Sequence, residues 1–214
     1  MSTVQERQDK LEPLLRASPV IAIVTIDDVT HAAPMAQALI DGGVMSIEVT
    51  LRTSAALGAI EAIRVKVPEA CVGAGTVLTP DDVTSAENAG SQFFVSPGAS
   101  PKLIDAMEKS EVPWLPGSSS ASEAMSMFER GYRLQKFFPA EAAGGVDFLR
   151  GLAAPLPKIK FCPTGGIRAQ TAANYLELPN VICIGGSWLT PAAMLRDKDW
   201  KGITALAHAA ARAR

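Results

Sequence analysis

The stretch "MSIEVTLRTSAALGAIEAIRVKVPEACVGAGTVLTPDDVTSAENAG", residues 45–90, holds the same pattern twice. A short run rich in β-branched residues is followed by a longer segment with helical spacing of its apolar positions. "MSIEVTL" and "CVGAGTV" read as strands, and "SAALGAIEAIRVKVP" and "TPDDVTSAENAG" as helices. Thr79-Pro80-Asp81-Asp82 supplies an N-cap before a first-turn proline, and Gly90 after Asn88-Ala89 supplies a stop. Two consecutive strand–helix units of this kind predict parallel strands joined by helical crossovers.

Working outward, the unit repeats along the chain. "PVIAIVTI", "QFFVSP", "PWLPG", "RLQKFFPA", "KIKFCPTGG" and "VICIGGSW" read as further strands, and "HAAPMAQALIDGG" and "SPKLIDAMEKS" as further helices. Centres fall roughly 20 to 26 residues apart, one βα unit each. Eight strands alternating with helices predict an α/β fold, a single (β/α)8 TIM barrel over residues 1–214. An open doubly wound sheet is the alternative. An extra N-terminal helix, with Leu11, Leu14 and Leu15 on one side, is expected to cover one end of the barrel.

Composition narrows the function classes. Hydrophobic residues make up 48% of the 214 and charged residues 20%, an ordinary globular mix. A net charge of −2 without a basic run argues against nucleic acid as a partner. Apolar runs are interrupted well before the length of a membrane span, and the N-terminal stretch lacks the apolar stretch of a secretory signal. Cys71, Cys162 and Cys183 have no CxxC spacing, which fits free thiols in a reducing cytoplasm. No metal site is expected, the histidines being His31 and His208 alone.

In barrels of this class chemistry gathers at the carboxyl ends of the strands. In "SIEVTLRT" Glu48, Thr50 and Arg52 share one face at period two, and Ile47, Val49 and Leu51 take the other. Polar residues on a face normally filled by apolar side chains are informative, although an internal Glu–Arg ion pair would suffice for structure alone. In "GYRLQKFFPAE" Leu134, Lys136 and Phe138 share a parity, so an inward Lys136 would have Leu134 below it and Phe138 as a wall above. A sheltered lysine tends to give up its proton, and a neutral amine attacks carbonyl carbon to form an imine. The imine withdraws electrons from the neighbouring carbon, and a carboxylate such as Glu48 can move the protons. The plainer reading of Lys136 is a side chain that snorkels from a strand edge. Lys158 and Lys160 open the seventh strand at its amino end and belong to the opposite rim.

Thr76, in "GAGTVLTP", could hold a substrate carboxylate, although on its own it reads more simply as a structural hydroxyl; Gly73 and Gly75 could simply permit close strand–helix packing. Pro97, in "SPG", could shape the pocket floor or make a turn. The pairs Gly165-Gly166 and Gly185-Gly186 each precede a helical pattern, an arrangement that exposes N–H groups to an anion such as phosphate. Ser187 could add a hydroxyl there.

"PMAQALIDGGV", "IEVTLRT", "VPEACVGAGTVLTP", "FFVSPG", "KFFPAEAAGGV", "FCPTGGI" and "CIGGSWL" together resemble, in order and spacing, the class I 2-dehydro-3-deoxy-phosphogluconate (KDPG) / 4-hydroxy-2-oxoglutarate (KHG) aldolase family. The resemblance implies a homotrimeric (β/α)8 barrel that needs no metal or organic cofactor and acts on a phosphorylated keto acid. It implies Lys136 as the Schiff-base lysine, Glu48 as the general acid/base and Arg52 as a contact to the substrate carboxylate or phosphate. Thr76 corresponds to a pyruvate-binding threonine, and Gly165, Gly166, Gly186 and Ser187 to the phosphate loops; Pro97, Phe138 and Thr164 are further candidates for substrate binding. The implied reaction is reversible cleavage of 2-dehydro-3-deoxy-6-phosphogluconate to pyruvate and glyceraldehyde 3-phosphate, with 4-hydroxy-2-oxoglutarate as a further substrate. The alternatives are an aldolase for the galactonate epimer, a phosphosugar isomerase or epimerase on the same barrel, and a non-catalytic phosphate-ligand binding protein.

Overall fold

In the computed structural model, which describes residues 2–213, helices and parallel strands alternate as the repeated unit requires. The chain runs α1 (Val4–Arg16), β1 (Val20–Val24), α2 (Ala32–Asp41), β2 (Ser46–Thr50), α3 (Ala56–Lys66), β3 (Cys71–Gly75) and α4 (Pro80–Asn88). It continues through β4 (Phe94–Val95), α5 (Pro101–Lys109), β5 (Trp114–Leu115), β6 (Gly117–Ser118), α6 (Ala121–Glu129) and β7 (Leu134–Phe137). The last elements are α7 (Gly145–Ala153), β8 (Lys160–Pro163), α8 (Ala172–Leu176), β9 (Ile184–Gly186), α9 (Ala192–Asp197) and α10 (Trp200–Ala210). Thr79 closes a capping box with Asp82 at the start of α4, and Ser100 caps α5, as the Thr-Pro and Ser-Pro signals predict. His31, expected in a helix, lies instead in a 3-10 turn, Val29–His31, that leads into α2.

All strand pairs are parallel, and they form a curled α/β arrangement. Regular pairing gives a six-stranded sheet, β5-β4-β3-β2-β1-β9, and a three-stranded sheet, β6-β7-β8. This differs from one continuous eight-stranded ladder. The expected fifth strand is broken at Pro116, which has no N–H to donate, although its carbonyl still accepts from the Lys136 N–H at 2.8 Å. Isolated bridges, Phe161 to Val181 and Thr164 to Gly185, link the two sheets on the other side. Pairing of β9 with β1 is matched outside by α10 on α2, where the Thr204 hydroxyl donates to the Ala38 carbonyl at 3.0 Å.

Two apolar clusters follow from strand alternation. Ile47, Val49, Val72, Ala74 and Phe137 pack outward against the helices. Ile21, Phe93, Val95, Leu115, Leu134, Cys162 and Cys183 form an inner cluster with Leu11 and Leu15 of α1, and Leu14 packs against it. A buried Gln8 fastens α1 there: its amide donates to the Trp114 carbonyl at 2.9 Å, and its carbonyl accepts from the Leu134 N–H at 2.8 Å. Both groups sit at the amino end of the strands, where no ladder partner satisfies them. Gln135 has the other parity from Leu134, and its buried amide is satisfied by the carbonyls of Ala124 and Tyr132. Cys71 and Cys162 are free thiols. Burial pushes the Cys71 thiol up to about 11, so it stays protonated at neutral pH. No helix among the described residues is long and apolar enough to cross a membrane.

Candidate active site

Glu48 is the third residue of β2 and Lys136 the third of β7, and both belong to the inward parity. Their side chains meet: Lys136 Nζ lies 3.2 Å from Glu48 Oε1, with 5% and 2% of the residues exposed. The amine also stands 5.3 Å from the centre of the Phe138 ring, the wall expected above it. Leu134 lies one layer below, in the inner cluster. The inward reading of Lys136 therefore holds, and the partner of Glu48 is Lys136 rather than Arg52. β2 ends at Thr50, so the alternation does not extend to Arg52, which is exposed in the following turn.

Glycines on neighbouring strands make this arrangement possible. A Cβ on Gly75 would stand 2.5 Å from Cγ and 2.6 Å from Cδ of Glu48, and closer still to Oε1. The carboxylate thus lies in space that β3 leaves open. Gly75 faces the site and not a helix, contrary to the packing role read from sequence. Gly185 does the same for Thr164, whose Cγ2 would be 3.0 Å from a Cβ there. Gly117, the register partner of Lys136, lies so close to the Pro97–Gly98 peptide that a Cβ would be 2.6 Å from the Gly98 nitrogen. Pro97 is thereby placed one strand away from the lysine.

The remaining candidates lie in the loops after these strands. Thr76 follows Gly75 with φ 59, a left-handed conformation that costs a β-branched residue about 1–3 kcal/mol. That turn ends the strand alternation, so the parity Thr76 shares with outward-facing Val72 and Ala74 does not set its direction. Thr164 is buried, and Gly165 and Gly166 follow it with φ of 106 and 81. A Cβ on Gly165 would touch the Phe138 ring at 3.3 Å, so the glycine turn adjoins the pocket wall. Gly185 and Gly186 are not a loop, as their pairing with Ile21 and Ala22 puts them inside β9. Neither glycine pair leads straight into a helix, since α8 starts at Ala172 and the short α9 at Ala192. Ser187 is exposed just after β9.

Sequence reading missed three polar contacts here. The Thr25 and Thr50 hydroxyls lie 3.0 Å apart, joining β1 and β2 just above Glu48, and Thr50 also donates to the Val24 carbonyl at 3.1 Å. A cleft of about 300 Å³ opens beside Thr25, between the β1 loop and Leu195 and Arg196 of α9. Tyr175 reaches Glu141 across the loops after β7 and β8. Period-two alternation marks none of these, because they depend on which strand ends are neighbours.

A buried amine against a carboxylate, walled by an aromatic ring that a glycine turn adjoins, can form an imine with a keto compound and shuttle protons beside it. Comparison with known proteins agrees with that chemistry. Residues 11–206 match the family model described as KDPG and KHG aldolase. A 2-dehydro-3-deoxy-phosphogluconate aldolase of Dickeya dadantii (strain 3937) is 48% identical over 199 residues, 93% of each chain. A KHG/KDPG aldolase of Escherichia coli (strain K12) is 47% identical, again over 93% of each. The crystal structure of a KDPG aldolase from Legionella pneumophila, with pyruvate captured as a covalent carbinolamine intermediate, superposes with a TM-score of 0.90. It is 43% identical, and the match covers 92% of this chain and 96% of that one.

Proposed function

The chain belongs to the KDPG and KHG aldolase family, and on that premise we propose that it cleaves 2-dehydro-3-deoxy-6-phosphogluconate reversibly to pyruvate and glyceraldehyde 3-phosphate. The observation that carries the proposal is the buried pair of Lys136 Nζ and Glu48 Oε1 at 3.2 Å. The KHG/KDPG name of the Escherichia coli relative supports cleavage of 4-hydroxy-2-oxoglutarate to pyruvate and glyoxylate as well.

Lys136 is the nucleophile. Passing its proton across the pair to Glu48 leaves an amine whose lone pair attacks the C2 keto carbon, giving a carbinolamine. The Legionella pneumophila structure holds pyruvate in that state. Loss of water yields a protonated imine. Glu48, acting through a water, takes the C4 hydroxyl proton as the C3–C4 bond breaks, and the bonding electrons pass to the imine as an enamine. The aldehyde leaves, C3 regains a proton from Glu48, and water releases pyruvate and restores the amine.

The other groups hold the substrate. Thr76 binds the pyruvyl carboxylate at the end of β3, with Pro97 and Phe138 lining the pocket on either side of the lysine. Thr164, Gly165 and Gly166, with Gly186 and Ser187 across the β8–β9 bridge, receive the phosphate, the left-handed glycines turning N–H groups outward. Exposed Arg52 meets the substrate's carboxylate or phosphate at the mouth. Around this site the two sheets complete one eight-stranded barrel, a reading supported by the Pro116 join and the isolated bridges, with α1 across its amino end. The chain is a single domain, works in the cytoplasm and assembles as a homotrimer.

A pyruvate-release assay on the purified protein tests the activity. The wild type should liberate pyruvate and glyceraldehyde 3-phosphate in equal amounts, and Lys136→Ala should liberate neither. Full cleavage by Lys136→Ala would remove the imine mechanism, and isomerisation of a phosphosugar without cleavage would point to the alternative barrel chemistry.

A further inference from the structure

The turn assigned to phosphate consists of two glycines in left-handed conformations, and glycine has little intrinsic preference for any one shape. Something outside the turn must hold it. Two backbone bonds tie it to the loop after β7: the Ala140 N–H donates to the Thr164 carbonyl at 2.8 Å, and the Glu141 N–H to the Gly165 carbonyl at 3.1 Å. The Glu141 side chain then runs against Gly166, where a Cβ would stand 2.7 Å from its Cγ. Its carboxylate is held in turn by α8, since the Tyr175 hydroxyl donates to Oε1 at 2.8 Å.

Tyr175 is only 1% exposed, so this donor has a fixed position. Burial first, and the Glu141 carboxylate second, raise the phenol far above its ordinary value and keep it a donor across the working pH range. Gly145, at the start of α7, leaves the hydroxyl its space, because a Cβ there would come within 3.1 Å. The loop after the lysine strand, the glycine turn and α8 therefore form one clamp. Neither Tyr175 nor Glu141 has a part in the imine chemistry.

We propose that Tyr175 and Glu141 are positioning residues that hold the Gly165–Gly166 turn in its phosphate-receiving shape, and so set this enzyme's preference for phosphorylated substrates. The proposal rests on the reading of that turn as the phosphate site.

Kinetics of Tyr175→Phe, Glu141→Ala and Glu141→Gln test it, with two readouts. One is cleavage of 2-dehydro-3-deoxy-6-phosphogluconate. The other is exchange of pyruvate methyl protons with solvent, which needs Lys136 and Glu48 but no phosphate. Tyr175→Phe and Glu141→Ala should each raise KM for the phosphorylated substrate about fivefold, as loss of one hydrogen bond to a charged group allows, with kcat nearly unchanged. Pyruvate exchange should stay at the wild-type rate. Glu141→Gln keeps a carbonyl acceptor for the Tyr175 hydroxyl and should restore the low KM. An equal loss in both readouts would reduce the pair to a structural prop and overturn the proposal, as would an unchanged KM in Tyr175→Phe and Glu141→Ala. Gly165→Ala separates the turn from the clamp that holds it, because the atoms nearest a methyl there belong to Phe138 and Pro139 and not to Glu141 or Tyr175. If it alone raises KM selectively, the phosphate turn stands and the clamp falls; if it also leaves KM untouched, the phosphate reading itself falls.

Discussion

Replacing Gly75 with alanine should disable the acid/base step while leaving the nucleophile in place. The added methyl would stand 2.5 Å from Cγ and 2.6 Å from Cδ of Glu48, whereas carbon atoms pack at about 3.5–4.0 Å. The carboxylate must therefore retreat by about 1 Å, since only 2% of Glu48 is exposed and the neighbouring Thr50 is fully buried. A displacement of that size at a reacting group costs about 10²-fold in rate, or about 2.7 kcal/mol of transition-state stabilisation. Cleavage of the phosphorylated substrate under saturating conditions reads the effect. Borohydride reduction in the presence of pyruvate checks that Lys136 Nζ, now 3.2 Å from Oε1, still forms its imine. We expect kcat to fall about a hundredfold with the adduct retained. A folded Gly75→Ala protein with kcat within about threefold of wild type would refute the reasoning, because Glu48 would then not need the seat that β3 leaves for it.

Two further outcomes concern stability. Gln8→Ala leaves the Trp114 carbonyl and the Leu134 N–H without their partner, at about 1–3 kcal/mol for each buried group. A loss of about 3 kcal/mol should lower the melting temperature by roughly 10 °C, measured by circular dichroism. The second outcome is a pH dependence. Glu12 is held below the ordinary carboxylate value, first by its hydrogen bond to Arg16 and then by Arg133. A carboxyl depressed in the folded state stabilises it above its unfolded value near 4.5, and that contribution disappears as pH falls through the folded value. Thermal melts below pH 4.5 should therefore show a shallower acid-side decline for Glu12→Gln than for wild type.

Much of this architecture can be read from periodicity. The inward faces of β2 and β7 alternate at period two, and Glu48 meets Lys136 once the curled arrangement turns both faces to the same interior, although the two strands lie in different sheets. Helix starts are legible where a capping residue precedes proline, as at Thr79 and Ser100. Other features depend on which residues meet across the fold. Gly75 reads in sequence as a packing glycine, and only the β2–β3 register places it beside Glu48. Gly185-Gly186 reads as a phosphate loop because paired glycines usually turn, yet pairing with β1 keeps it extended. Extrapolating the β2 alternation to Arg52 fails because the strand ends at Thr50. Tyr175 and Glu141 lie 34 residues apart and meet only because the β7 and β8 loops rise at the same rim.

The most direct measurement is borohydride trapping: incubate the protein with pyruvate, reduce, and locate the modification by mass spectrometry. A pyruvate-derived adduct is expected on Lys136 and on no other lysine, and it should be absent when Lys136 is replaced by alanine. Folded protein that yields no adduct at saturating pyruvate, or yields one elsewhere, would contradict the assignment of the buried lysine as the nucleophile.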